Sequence, residues 1–217
     1  MSDDLTAVYY TALELPINFQ IQTMAHLEQA LGEIPLIAIL LVEPDKRSHL
    51  GIYRQALEGA KLAQTKYIAL CEDDVLYSPE HFKYRPKDKP FAYNMNAWNI
   101  TTWGDPVFTQ KSGGRKNLGQ LICEREAFIE AMEERFAQYP DGNVNIANWA
   151  EPSKYEKNLG VTIREAESFY TNPPNIIFSH ETALSYQNLG TRKKPGEIRA
   201  LSIPYWGTAK EIQDYYV

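Results

Sequence analysis

The chain has 217 residues and a mass of 24.8 kDa, enough for one substantial core and marginal for a second domain. Its 44% hydrophobic and 23% charged residues are ordinary for a soluble globular protein, and the formal charge of -6 excludes a surface coated in positive charge. A local basic groove stays open, because charges are screened beyond about 8 Å at physiological salt.

The N-terminal MSDDLTAVYY has neither the basic start nor the apolar centre of a signal peptide. LTAVYYT, 5–11, is β-branched and aromatic and reads as a first strand. NFQIQTMAHLEQALG follows as a helix, with Asn18 as N-cap, Phe19, Met24, Leu27 and Leu31 on one face, and Gly32 as its stop. PLIAILLVEP is a continuous apolar run between prolines, the pattern of a strand covered on both faces. This run is far short of the roughly 20 residues that span a bilayer, so no membrane partner is expected. GIYRQALEGAKLAQ places Ile52, Ala56, Ala60 and Ala63 at helical spacing, and KYIALC is the next strand.

Strand, helix, strand, helix, strand is the order of a parallel sheet with crossover helices. The second part of the chain is less regular. FAYNMNAWNITTW, 91–103, reads as a strand, and VFTQ and LGQLIC as strands flanking the polar KSGGRKN. REAFIEAMEERFAQYP is a helix with Phe128, Met132 and Phe136 in one row, and Pro140 ends it. NIIFSH and GEIRALSIPYWG are further strands before a terminal helix in TAKEIQDYY. With no linker, repeat or low-complexity tract, one α/β domain spanning 1–217 is expected. Cys71 and Cys123 both lie in apolar runs and read as buried free thiols of a reducing, cytoplasmic setting.

The chemistry is concentrated in IALCEDDVLYSPEHF, where the third strand ends in Glu72, Asp73 and Asp74. In parallel α/β sheets ligands bind beyond the carboxyl ends of the strands, which is where these acids fall. Clustered carboxylates suit hard cations such as Mg2+ or Mn2+. The competing reading is a solvated turn capping the next segment, but Ser78 followed by Pro79 already serves as a cap. There is no GxGxxG, GxxxxGK[ST], GxSxG, HExxH or CxxC pattern, so dinucleotide enzymes, P-loop NTPases, α/β-hydrolases and zinc enzymes lose their usual support.

ALCEDDVLYSPEHF resembles the acidic "DxD" segment of GT-A-fold glycosyltransferases of the family-two-like kind. AVYYTALELP, FAYNMNAWNITTW, NWAEPSKYEKNLGV, IIFSHETAL and GEIRALSIPYWG extend the likeness to small glycosyltransferases encoded by phages and bacteria. The resemblance implies a single GT-A-like (Rossmann-like) α/β domain with a mostly parallel central sheet. About 1–105 would bind the nucleotide sugar and about 106–217 the acceptor. It further implies a UDP-sugar donor and a Mn2+ or Mg2+ cofactor. Asp74 would be the metal ligand, completed by His180, with Glu72 or Asp73 at the ribose or a metal-bound water. Glu72 stands where the family more often has Asp, which keeps the charge on a longer arm. Tyr9, Tyr10 and Thr11 would meet the nucleotide, and Arg54 the base or diphosphate. For an inverting reaction Glu151 of NWAEP is the candidate base, with Asp141 and Glu156 as alternatives; a retaining reaction needs none. Tyrosines in a strand are also common core, and a histidine closing a strand is often only hydrogen-bonded.

KSGGRK carries Arg115 and Lys116, and RKKPGEIR adds Lys193 and Lys194, with Trp98 and Trp103 available to stack on a base. Together with the phage-type likeness these point to hydroxymethylated pyrimidines of DNA as the acceptor, modified after flipping. A saccharide, lipid or protein acceptor, or a nucleotide-sugar-binding module without turnover, are the alternatives.

Overall fold

The computed structural model describes residues 4–41, 48–140, 150–183 and 195–216. β1 (Leu5–Thr11), α1 (Ile17–Leu31), β2 (Leu36–Leu40), α2 (His49–Leu62) and β3 (Tyr67–Glu72) alternate as the apolar pattern predicts. β1 is buried throughout and pairs in parallel with β2 on one side and β3 on the other. Its side chains alternate between faces: Val8 and Tyr10 join a cluster with Ala56, Ala60, Phe128 and Met132, while Ala7 and Tyr9 join one with Leu27, Ala30 and Leu31.

α2 starts at Ser48, whose Oγ accepts from the Gly51 amide at 3.0 Å. Its alanines lie on β1 so closely that a Cβ at Gly59 would stand 2.2 Å from Val8 Cγ1. α1 ends at Gly32, left-handed at φ 59.

The remaining elements are β4 (Val75–Leu76), β5 (Phe91–Asn94), β6 (Ala97–Thr101), β7 (Phe108–Gln110), β8 (Leu121–Glu124), α3 (Arg125–Gln138), α4 (Glu156–Leu159), β9 (Ala166–Phe169), β10 (Asn175–Ser179), β11 (Ile198–Ala200), β12 (Ser202–Ile203), β13 (Gly207–Thr208) and α5 (Ala209–Tyr216). The six-stranded sheet runs β2-β1-β3-β8-β5-β9. Only β8 opposes its neighbours, so the central sheet is mostly parallel, with helices on both faces. A second sheet, β11-β7-β6-β10-β4, packs its inner face with α5 and Phe19 of α1. The chain is thus α/β, and the larger sheet draws strands from both sides of residue 105.

Three sequence expectations are corrected. Asn18 lies inside α1, whose N-cap is Pro16 with no side-chain cap; the helical ladder already starts at Pro16 O, which accepts from the Gln20 amide at 3.0 Å. β2 is the edge strand and half-exposed, Leu40 to 50%; an unbroken apolar run marks a strand but not its place in the sheet. FAYNMNAWNITTW is two strands in different sheets. The break falls at Asn94, where its Oδ1 accepts from the Asn96 amide at 3.0 Å and Nδ2 donates to Thr171 Oγ1 at 2.8 Å.

Candidate functional site

β1 and β3 run in register from Leu5 opposite Tyr67 to Tyr10 opposite Glu72, so Thr11 and the acidic turn leave the sheet side by side. Thr11 Oγ1 donates to Asp73 Oδ2 and accepts from the Leu13 amide at 2.9 Å. Burial, then the neighbouring Asp74 charge, push the Asp73 carboxyl up to about 6 against that hydrogen bond. Gln55 of α2 donates to Thr11 O at 2.9 Å and Ile39 O at 3.0 Å, sewing the ends of β1 and β2 together. Tyr9 lies on the opposite face from Tyr10, its phenol raised by burial and by Asp73.

Asp74 turns the other way. The Phe178 amide donates to Asp74 O at 2.8 Å, tying the acidic turn to β10, and His180 closes that strand. His180 Nε2 lies 3.4 Å from Asp74 Oδ2, and His180 Nδ1 is 2.8 Å from Thr182 Oγ1. Donation from Nδ1–H to Thr182 would leave the Nε2 lone pair for a cation between ring and carboxylate, whereas the other tautomer directs Nε2–H at Asp74 Oδ2. Asp74 Oδ1 is buried and has no hydrogen-bond partner. An orphaned carboxylate oxygen beside an imidazole fits a divalent cation held by few protein ligands. Among the described residues no group of three or more His, Cys, Asp or Glu converges, so further ligands would come from substrate and water.

Glu72 faces α2. Its Oε1 accepts from Tyr10 OH at 3.2 Å, and its amide donates to Tyr77 OH at 2.9 Å, which donates on to Gly119 O at 2.9 Å. A Cβ at Gly119 would stand 2.5 Å from Glu72 Oε2, so glycine there makes the room this carboxylate uses. Beyond it lies Glu151, only 4% exposed. Tyr53 OH donates to Glu151 Oε2 at 3.0 Å and Lys154 Nζ to Oε1 at 2.8 Å. Tyr93 OH donates to Pro152 O at 2.6 Å. Ser153 and Tyr155 are left-handed, φ 68 and 54, in a turn fastened by the buried pair of Arg135 with Glu156 at 2.9 Å. Glu156 also accepts from the Ser153 and Arg164 amides, so both of its oxygens are tied to backbone, whereas those of Glu151 meet side chains.

The other expected residues are divided. Trp103 follows the point where the Thr102 amide bonds Ser179 O at 3.0 Å, next to His180. Trp98 shares a face of β6 with Ile100 and packs, half-buried, against the cluster of Phe19, Ile100 and Phe178. Arg54 is not brought to the acids: it lies 4.9 Å from the Phe136 ring and donates to Pro140 O at 3.0 Å. Tyr53 and Gln55 take the inward faces of α2, which turns Arg54 toward α3. Lys116 reaches Ser153 Oγ at 3.1 Å, and Arg115 is exposed. Asp141, Lys193 and Lys194 lie outside the described residues. Tyr53, Gln55, Gly119 and Lys154 escaped the sequence reading; their helical or loop positions carry no motif, and only NWAEPSK adjacency hinted at Lys154.

The sequence matches no family model and no curated protein. Among solved structures, a Drosophila beta-1,4-galactosyltransferase 7 mutant in complex with manganese, UDP-Gal and xylobiose aligns with TM-score 0.47 and 14% identity over 96% of this chain and 79% of its own. A glycosyltransferase involved in glycosylation of the major capsid of PBCV-1 aligns with TM-score 0.44 and 11% identity over 80% and 92%. The bifunctional IspDF of Campylobacter jejuni reaches TM-score 0.40 and 8% identity over 77% and 50%. Likenesses this distant decide no chemistry, which has to be argued from the side chains.

Proposed function

We propose that the chain is a nucleotide-sugar-dependent glycosyltransferase, one domain over 1–217 with a donor end and an acceptor end, working on a UDP-sugar with Mn2+ or Mg2+. The observation that carries this reading is Asp74, whose buried Oδ1 lacks a partner while Oδ2 faces His180 beyond the carboxyl ends of the parallel strands. The ordered likeness of the sequence segments to GT-A enzymes supports it.

In this reading Asp74 and His180 hold the cation, which when bound offsets charge on the departing diphosphate. Thr11, Asp73, Tyr10 and Glu72 line the nucleoside side, and Tyr9 backs Asp73 from the opposite face of β1. Glu151 takes the proton of the acceptor hydroxyl; the freed oxygen pair forms the new bond to the anomeric carbon as the carbon–phosphate-oxygen bond breaks. The diphosphate leaves with that electron pair and configuration inverts. Tyr53 and Lys154 orient the Glu151 carboxylate for this step. Cys71 and Cys123, both buried and free, suit a cytoplasmic setting. Among the described residues no helix is long and apolar enough to cross a membrane.

For the acceptor we put forward DNA bearing 5-hydroxymethylated pyrimidines, a reading supported by the phage-type likeness, the exposed Arg115 and the rim position of Trp103. Trp98 lends it no support, its half-buried ring being packed against the Ile100 and Phe178 cluster. The test incubates the protein with Mn2+, a panel of UDP-sugars, and either hydroxymethylated DNA, unmodified DNA or free saccharides, then weighs the products. A metal-dependent sugar adduct on hydroxymethylated DNA alone is expected. Transfer to a saccharide instead overturns the DNA acceptor. UDP-sugar binding with no turnover in any arm makes the chain a binding module, and no metal-dependent UDP binding removes the whole reading.

A further inference from the structure

Lys116 is a half-buried ammonium with no carboxylate in contact among the described residues. Its Nζ donates to Ser153 Oγ at 3.1 Å and lies 5.4 Å from the centroid of the Tyr93 ring, and among the described residues it forms no ion pair. Its neighbour Lys154 is matched: that Nζ donates to Glu151 Oε1 at 2.8 Å and to Lys116 O at 3.2 Å. Among the described residues the Glu151 negative charge is therefore taken by Lys154, and the Lys116 positive charge is left over. A cation drawn partly out of water without a counter-charge is costly, and long cationic side chains ordinarily keep the head group in solvent. Burial and the Lys154 charge lower the Lys116 pKa against Glu156 and Glu151, as a surplus positive charge requires.

Ser153 Oγ accepts from Lys116, so its own hydroxyl hydrogen is available to donate. The pair thus offers an ammonium and a hydroxyl from one side, held by a turn in which Ser153 is left-handed at φ 68 and its amide is bound by Glu156 Oε1 at 2.9 Å. Lys154 Nζ joins this pair to the carboxylate, donating to Glu151 Oε1 at 2.8 Å and to Lys116 O at 3.2 Å, so the pair stands beside Glu151. The compact, strongly charged ammonium is a point-charge partner for phosphate.

We propose that Lys116 and Ser153 form a phosphate-recognition subsite beside Glu151, and that the acceptor is a ring carrying a phosphate near the hydroxyl that receives the sugar. This rests on the reading of Glu151 as the base of a glycosyl transfer. A nucleotide within DNA and a free sugar phosphate share this chemistry.

The test titrates the intact protein, with Mn2+ and UDP present, against two matched probe pairs by calorimetry. One pair is 5-hydroxymethyldeoxycytidine and its 5′-monophosphate; the other is glucose and glucose 6-phosphate. The phosphorylated member of at least one pair should bind about tenfold tighter than its neutral partner. Lys116→Gln should bring that ratio to about twofold or less, Lys116→Arg should keep it, and Lys83→Gln on an exposed turn should not alter it. Should Lys116→Gln not fold, Ser153→Gly, which suits the left-handed backbone and removes only the hydroxyl, should lower the ratio about threefold. Preference within the nucleotide pair assigns the phosphate to nucleic acid, and preference within the sugar pair to a phosphorylated saccharide; either supports the subsite. Equal binding within both pairs, binding of no probe, or a preference that survives loss of the Lys116 charge overturns it. Affinity for UDP in the presence and absence of Mn2+, measured in parallel, reports separately on the donor reading.

Discussion

Asp74 Oδ2 and His180 Nε2 stand 3.4 Å apart because the Phe178 amide bonds Asp74 O and fixes β10 against the acidic turn. The other Asp74 oxygen is buried without a partner, so the carboxylate is incompletely satisfied as it stands. A group left this way contributes little to folding and much to ligand binding.

Asp74→Asn should therefore leave thermal unfolding within a few degrees of wild type while Mn2+-dependent UDP binding falls below detection. His180→Ala should weaken the same binding by about 10–100-fold, the usual effect of losing a metal contact or its orienting partner. Excess chelator should reproduce the Asp74→Asn result in the wild-type protein. Undiminished UDP binding in either variant removes the pair from the donor site.

Glu151 is held by Tyr53 OH and Lys154 Nζ. Glu151→Gln keeps shape and hydrogen bonding but cannot take a proton, so transfer should fall by about 10²–10⁴-fold with UDP affinity unchanged. Tyr53→Phe removes the hydrogen bond that orients Glu151 and should lower kcat by about tenfold at unaltered donor KM. Retained anomeric configuration in the product assigns the role elsewhere.

Gly119 is pressed against Glu72 Oε2, the far end of a side chain that Tyr10 also holds. Gly119→Ala should displace this carboxylate with a stability loss of about 1 kcal/mol or less, since a flexible tip can move. The functional cost should be larger, read as donor affinity about tenfold weaker by titration. Unchanged donor affinity in a folded variant separates Glu72 from the nucleotide.

His81 is fully buried, with Nδ1 near Asn94 Nδ2 at 3.3 Å and Asn175 Nδ2 at 3.2 Å, and burial pushes it down to about 3 from 6.5. Between those values the unfolded chain takes up a proton that the folded protein refuses. Its stabilising share is present above pH 6.5 and is lost as pH falls toward 3, at up to about 1.4 kcal/mol per unit. Denaturant titrations from pH 7 to pH 4 should show this slope, and His81→Gln, less stable at pH 7, should flatten it. An equal slope in the variant assigns the acid sensitivity to other groups.

Local pattern by itself determined β1, α1, α2 and β3, the stop at Gly32 and the placing of the acidic turn at a strand's carboxyl end. Periodicity, capping chemistry and the geometry of parallel crossovers act over a few residues and are written there. The same short-range logic singled out Asp74, His180 and Glu151 only with the help of resemblance, because no local rule says which distant carboxylate a histidine will face. Tertiary structure alone decided the rest. LIAIL is as apolar as a central strand, yet pairing leaves β2 at the edge. FAYNMNAWNITTW divides between two sheets because Asn94 finds its partner at Thr171, 77 residues away. Tyr53 and Arg54 are adjacent in sequence, but the turn of α2 sends one to Glu151 and the other to Phe136. Those outcomes depend on which surfaces meet when the chain closes on itself, and pairings across tens of residues leave no periodic trace in the residues that make them.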